Sequence, residues 1–149
     1  MMRKTLTTIV ALSLALTITP AIAGCSVLQG IIKQQTGGDI DLGGNSIPKD
    51  FPTADVPLMT GEVVYGAGVK SSDGQAWNVT IKVGAGSSFD QISSQLVGAG
   101  FTAADGATSS TADGGVGVFT SDKFNVAVVV SKDSTNGFIA NYTVSTLPK

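Results

Sequence analysis

The most regular alternation of apolar and polar side chains in the chain runs from Trp77 to Val83. A period of two sends successive side chains to opposite faces, so this segment predicts a strand with one buried and one solvated face. Turn residues at Asp73-Gly74 and Asn136-Gly137 predict hairpin connections. Further strands are predicted, in chain order, at 62–70, 101–103, 116–120, 124–131 and 138–144.

A helical period follows the predicted strand at 77–83. Phe89, Ile92 and Leu96 are three and four residues apart and therefore lie on one face of a short amphipathic helix. Ser88 and Gln91 have the spacing of a capping box at its start, and glycines follow its last turn. The hairpins and the single helix predict an α+β fold. We expect an antiparallel sheet of about five to six strands with one helix packed on one face, in the order β-β-α-β-β-β-β.

Composition divides the chain into three segments. Residues 1–24 hold a basic start and an apolar run, residues 25–59 are rich in glycine and proline, and residues 60–149 hold the predicted strands and helix. We therefore expect a small α+β domain at 60–149 and a flexible tether at 25–59. Phe51 in the tether is interpreted as covering the edge of the domain, and the alternative is a docking strip for a partner. The segment 105–115 is interpreted as a solvated loop, with a functional loop as the alternative.

The charge of the chain argues against several classes of partner. After residue 24 the sequence has seven lysines, no arginine and eleven acidic residues, a formal charge of −4. The lysines are scattered singly, so we predict no basic face that would bind nucleic acid. The lack of arginine also excludes bidentate recognition of phosphate or carboxylate by a guanidinium group.

Missing residue types limit the chemistry that the chain can perform. It has no histidine and a single cysteine, Cys25. Nucleophiles activated by histidine, histidine-ligated zinc and dithiol redox chemistry are therefore excluded. Most aspartates stand beside glycine or serine, where turns commonly use them. We expect no enzyme activity, no cofactor and no metal site.

Four aromatic residues are candidates for contact with a ligand or partner: Phe51, Tyr65, Trp77 and Tyr142. Trp77 and Tyr142 fall on the apolar phase of their strands, which favours packing in the core. The alternative is an aromatic groove for a glycan or a peptide. The tripeptides at 78–80 and 141–143 both read Asn-x-Thr, the N-glycosylation sequence, and we interpret both matches as chance.

The start of the chain holds its most specific motif. Arg3 and Lys4 precede a mostly apolar run from residue 6 to residue 18, which is too short to span a bilayer. The sequence Ile22-Ala23-Gly24-Cys25 follows, and it resembles the lipobox of bacterial lipoproteins. With its glycine- and proline-rich tether and its small domain, the whole chain is similar to small actinobacterial lipoproteins whose function is not established.

This resemblance implies an anchor and a location. Cleavage after Gly24 makes Cys25 the first residue of the mature protein, with diacylglycerol on its thiol. Two or more acyl chains hold a protein on a membrane far longer than one chain does. The expected location is the extracytoplasmic face of the cell membrane. The alternative is an ordinary signal peptide cut near Ala23.

Two functions from different classes fit these observations. The first is a non-catalytic interaction module that contacts an envelope protein or the cell wall through an exposed apolar patch or an edge strand. The second is a carrier or sensor of a small ligand, such as a lipid or a peptide. A carrier would need a closed cavity between helix and sheet, lined by Phe89, Leu96, Trp77 or Val128.

Overall fold

Segments with a period of two form long strands in the computed structural model, which describes residues 39–148. The predicted signal segment 1–24 and the start of the predicted tether, residues 25–38, lie outside the described residues. In chain order the elements are β1 (Asp39–Gly44), β2 (Val63–Ser71), β3 (Gly74–Val83), α1 (Ser88–Gly98), β4 (Thr102–Ala103), β5 (Ser109–Thr111), β6 (Gly114–Thr120), β7 (Phe124–Asp133) and β8 (Gly137–Thr146).

The strands form one antiparallel sheet. Their order across the sheet is β1-β2-β3-β8-β7-β6-β4, and β5 also pairs with β6. The last strand, β8, therefore lies in the interior between β3 and β7. The fold is α+β with one helix, as predicted, but the prediction of five to six strands is wrong because the sheet has eight. The order along the chain is β-β-β-α-β-β-β-β-β rather than the predicted β-β-α-β-β-β-β.

The two additional strands, β1 and β5, lie in segments that the sequence suggests are irregular. The β1 strand is short, follows one pair of glycines and ends on another, which is why its sequence suggests a tether. The β5 strand consists of three polar, exposed residues inside the predicted loop 105–115. Its conformation comes from pairing with β6 at positions 114–116, and no burial pattern marks it.

Residues 45–59 pack against the sheet, so the predicted domain boundary at residue 60 lies too late in the chain. Phe51 is 6% exposed and Val56 is fully buried. The Lys123 ammonium lies 3.0 Å from Asp55 Oδ1, so this segment also contacts the β6–β7 turn. Residues 48–56 form hydrogen-bonded turns rather than an extended chain, and each buried side chain contributes about 1.5–3 kcal/mol. The interpretation of Phe51 as a cover for the domain agrees with this packing.

The helix packs closely on the sheet because two glycines of β6 leave room for Phe89. A Cβ atom at Gly115 would overlap the Phe89 ring, and one at Gly117 would lie 2.8 Å from its Cζ atom. The Phe89 ring also contacts Phe119, with ring centroids 6.5 Å apart. The other predicted apolar positions of the helix, Ile92 and Leu96, are fully buried. The predicted apolar face of the helix is therefore confirmed.

The start of α1 differs from the prediction. Ser87 is the N-cap residue, and its side chain makes no hydrogen bond to the first turn. Ser88 already belongs to the helix, and its hydroxyl accepts a hydrogen bond from the N–H of Ala85 at 3.3 Å. The capping box predicted for Ser88 and Gln91 is therefore wrong.

The end of α1 follows the glycine signal in the sequence. Gly100 has a φ of 95°, which favours glycine. Its N–H donates to the Val97 carbonyl at 3.0 Å, and the Phe101 N–H donates to the Leu96 carbonyl at 3.0 Å. This pair of bonds is a Schellman motif, and it turns the chain towards β4 with Phe101 buried.

The contact between Phe89 and β6 gives a test of the core. Gly115→Ala would force the Phe89 ring to move, so we expect the free energy of unfolding to fall by about 1–3 kcal/mol. Urea unfolding followed by the fluorescence of Trp77, the only tryptophan, measures this change. Gly98→Ala is the matched control, because a Cβ there meets nothing within 4 Å and the protein should keep its stability. Equal stability of both variants would contradict this packing.

Candidate interaction surface

The sheet has a covered face and an open face. Both α1 and residues 45–59 lie on the covered face, where Phe89 meets Gly115 and Phe51 meets Trp77. The other described elements are strands and their connections, so residues 39–148 supply no layer over the opposite side. We call that side the open face. Its centre consists of alternate residues of the five long strands: 65–69 of β2, 76–82 of β3, 116–120 of β6, 125–131 of β7 and 139–145 of β8.

A β-bulge determines which aromatic residue reaches the open face. Val63 pairs with Ile81, whereas Tyr65 pairs with Thr80, so one extra residue lies on β2 between the two pairs. In a regular strand, Val63 and Tyr65 would share a face. The bulge instead keeps Val63 against the core and places Tyr65, which is 44% exposed, on the open face.

The open face is almost free of charge. Of the eighteen central residues only Lys82 carries a formal charge, and the Lys82 ammonium lies 3.5 Å from Glu62 Oε2. Asp133 continues the same phase at the end of β7, beside the β7–β8 turn. By contrast, residues 39–148 as a whole contain eleven acidic residues and five lysines, an excess of six negative charges. Most of the carboxylates therefore lie away from the centre of the open face, in turns, in β1 and on α1. Depletion of charge is typical of the buried centre of protein interfaces.

An amide and hydroxyl ladder occupies the middle of the open face. The Asn78 amide donates to Asn141 Oδ1 at 3.1 Å and to Thr143 Oγ1 at 3.0 Å. The Asn141 amide donates in return to Asn78 Oδ1 at 3.0 Å and to Thr80 Oγ1 at 2.8 Å. The four side chains thus satisfy one another across β3 and β8. A polar group that already has its partners costs much less to remove from water than an unpaired one.

Aliphatic side chains stand beside this ladder. Val116 is 45% exposed on β6, and Val129 is 44% exposed on β7. Their neighbours on the same face include Val118, Ala127 and Ile139, which are half-buried. The open face therefore combines exposed apolar area with satisfied polar groups and almost no charge. Contiguous exposed apolar area is typical of surfaces that contact another molecule.

The four aromatic residues proposed as contacts separate into two groups. Trp77, Tyr142 and Phe51 lie in the core, and Tyr65 alone is exposed on the open face. The Trp77 ring packs edge-on against Phe51 at 6.1 Å and against Phe124 at 6.2 Å between ring centroids. The structure therefore does not gather the four residues into one surface groove. The lipobox residues Ile22, Ala23, Gly24 and Cys25 lie outside the described residues.

The side chains expected around a carrier cavity are packed together. Phe89, Leu96, Trp77 and Val128 are all buried members of one apolar cluster between the sheet and its covers. A surface cavity of about 280 Å³ lies beside them, at the edge of Trp77. Asp41, Lys70 and Gln75 contribute to its walls. Its volume lies slightly below the range of about 300–1,000 Å³ that small-ligand sites occupy.

Two negative findings apply to the described part of the chain. Within residues 39–148, no three acidic, histidine or cysteine side chains come together in a way that could hold a metal ion. None of the helices found there is both long and apolar enough to cross a bilayer.

Comparison with known proteins gives no match for this chain. No protein-family model, no curated protein and no solved structure matches it. The open face is therefore interpreted from its own residues.

The ladder residues Asn78, Thr80, Asn141 and Thr143 are functional candidates that the sequence reasoning did not select. A signal for them does exist, because both Asn-x-Thr tripeptides lie on strands in which the intervening residue is apolar. A period of two then places each asparagine and its threonine on the solvated face. What the sequence does not give is the pairing of β3 with β8, which brings the two tripeptides together.

Tyr142 combines a buried ring with a bonded hydroxyl. Its hydroxyl accepts a hydrogen bond from the Met59 N–H at 3.2 Å, which ties residues 45–59 to the sheet. Burial raises the pKa of Tyr142 to about 12, although the bond from Met59 opposes this shift. The neutral phenol is therefore the form that the folded protein favours.

This shift predicts a loss of stability at high pH. The unfolded chain releases the tyrosine proton near pH 10, and the folded chain releases it near pH 12. Between these values the free energy of unfolding should fall by about 1.4 kcal/mol per pH unit from this group. Urea unfolding at a series of pH values measures the slope, and Tyr142→Phe should flatten it. Identical slopes for the two proteins would refute the assignment.

Proposed function

We propose that this protein is a membrane-anchored extracytoplasmic lipoprotein whose domain is a non-catalytic interaction module. The open face is the surface with which it binds an envelope protein. The observation that carries this proposal is an exposed sheet face at whose centre Lys82 is the only charged residue of eighteen. Surfaces that remain in water usually carry more charge, and the centres of interfaces are depleted of it.

The chemistry of the open face favours a protein partner over a wall polymer. A polysaccharide is recognised by unpaired hydrogen-bonding groups and by exposed aromatic rings. On the open face the Asn78 and Asn141 amides bond to one another and to hydroxyls. Trp77 and Tyr142 are buried, which leaves Tyr65 as the aromatic residue of this face. A flat protein surface with apolar side chains fits these features better.

The proposed anchor is Cys25, at the end of the sequence Ile22-Ala23-Gly24-Cys25. Its support is the lipobox resemblance and the position of this cysteine, the only one in the chain, directly after a signal-like segment. Acyl chains on this thiol would hold the domain at the membrane surface, where it meets other envelope proteins.

A second candidate function is the carriage or sensing of a small ligand. The observation that favours it is the 280 Å³ cavity at the edge of Trp77, whose lining includes Asp41, Lys70 and Gln75. A ligand there would be small and polar at one end. Native mass spectrometry of the purified lipoprotein would detect a retained ligand.

The anchor predicts a specific modification. The mature protein should begin at Cys25, and its N-terminal peptide should carry diacylglycerol, with or without a further acyl chain on the amino group. Mass spectrometry of the peptide measures this, and membrane fractionation should find the protein with the membranes. Cys25→Ala should lose the lipid and the processing. An unmodified thiol at Cys25 in the wild-type protein would overturn the proposed anchor.

The interaction module predicts capture through the open face. A benzophenone amino acid in place of Tyr65 should cross-link the lipoprotein in living cells to one dominant envelope protein. The same probe at Val97, which is 53% exposed on α1, is the matched control and should capture none. The Cys25→Ala form should show reduced capture because it lacks the anchor. Gel analysis and mass spectrometry identify the product.

Two results would count against the proposed function. Equal capture from Tyr65 and Val97 would show contact without preference for the open face. No protein product from Tyr65, in a correctly anchored and folded lipoprotein, would overturn a protein partner and favour the wall polymer or a small ligand.

A further inference from the structure

We infer that the partner which covers the open face is a second copy of this chain, with the two sheets packed face to face. This inference rests on the proposed use of the open face as an interface, and it names the partner. Two sheets stacked in this way lie about 10 Å apart and cross at about −30°. The resulting pair is a sandwich in which each chain contributes one sheet and keeps α1 on the outside.

Charge is the first argument for a second copy. Residues 39–148 carry an excess of six negative charges, so two copies repel each other wherever both present carboxylates. The eighteen central residues of the open face carry no carboxylate, and the carboxylates of Asp133 and Glu62 lie at its margins. It is therefore a surface on which two acidic copies can meet without burying like charges. A basic partner, in contrast, would be attracted to the other surfaces of the domain.

The polar ladder is the second argument. Asn78 and Asn141 use their amide groups on each other and on the hydroxyls of Thr80 and Thr143. A partner need not supply hydrogen bonds to these groups, so another copy with its own closed ladder can lie against them. A partner that offered unpaired polar groups would leave those groups unsatisfied.

The size of the open face is the third argument. Five long strands at about 4.8 Å spacing give a width of about 24 Å, and five to seven residues at about 3.4 Å each give a length of about 17–24 Å. The projected area is therefore about 500 Å² per copy, and the accessible area of a corrugated side-chain surface is larger than its projection. A standard stable interface buries about 800 Å² per partner, and the centre of the open face supplies most of that area.

The test uses the full-length lipoprotein in living cells. Two versions of the chain, each with a different epitope tag at the C-terminus, are co-expressed with the benzophenone probe in place of Tyr65. A product that carries both tags and has twice the mass of one chain supports a second copy. A product with a different envelope protein would overturn the second copy and leave the proposed function standing. No protein product would overturn both.

Substitutions on the open face test whether this surface is the contact. Val129→Lys and Val116→Lys each put an unpaired charge into the pair, and we expect the yield of the two-tag product to fall at least tenfold. Val97→Lys adds the same charge at a similarly exposed valine of α1 and should leave the yield unchanged. Protein level and thermal unfolding check that each variant folds. A wild-type yield from either open-face variant would overturn the inference.

Discussion

A sheet of eight strands is wider than the single helix that packs on it, and this mismatch governs the structure. At about 4.8 Å between strands the sheet is about 35 Å wide, whereas eleven residues of helix extend only about 16 Å. The helix lies over the β6 side, where Gly115 and Gly117 admit Phe89. Residues 45–59 cover the remainder through Phe51 and Val56. Both covers use the same side of the sheet, so the opposite side has none among residues 39–148.

The sequence predicts those parts of the fold in which side-chain period and burial agree. In β3, β7 and β8 four successive core-facing positions, two residues apart, are apolar, and Phe89, Ile92 and Leu96 give the helix face. The strands β1 and β5 escape prediction because one is flanked by glycines and the other is polar throughout, so only pairing with a neighbour makes them strands. The packing of residues 45–59 on the sheet is also not predicted, because a proline-rich sequence does not show whether the segment is free or packed.

The candidate interaction surface could be predicted from side-chain period even less well than the fold. The positions of Trp77 and Tyr142 in the alternation of their strands correctly predict that both are buried in the core. The exposure of Tyr65 depends on a β-bulge that the local sequence does not predict. The ladder of Asn78, Thr80, Asn141 and Thr143 depends on pairing between strands about sixty residues apart in the chain. The amides and hydroxyls of this ladder allow a nearly uncharged face to be exposed to solvent. The valines beside them remain available for contact with a partner.

The early start of the fold at β1 also determines how far the domain extends from a membrane. With an anchor at Cys25, only fourteen residue steps lead to Asp39, and a fully extended chain of that length spans at most about 50 Å. The tether inferred from composition alone would have been more than twice as long. With the proposed anchor, the start of β1 would stay within about 50 Å of the lipid headgroups. The domain would then find its partners by lateral diffusion in two dimensions, and structures deeper in the envelope would lie beyond its reach.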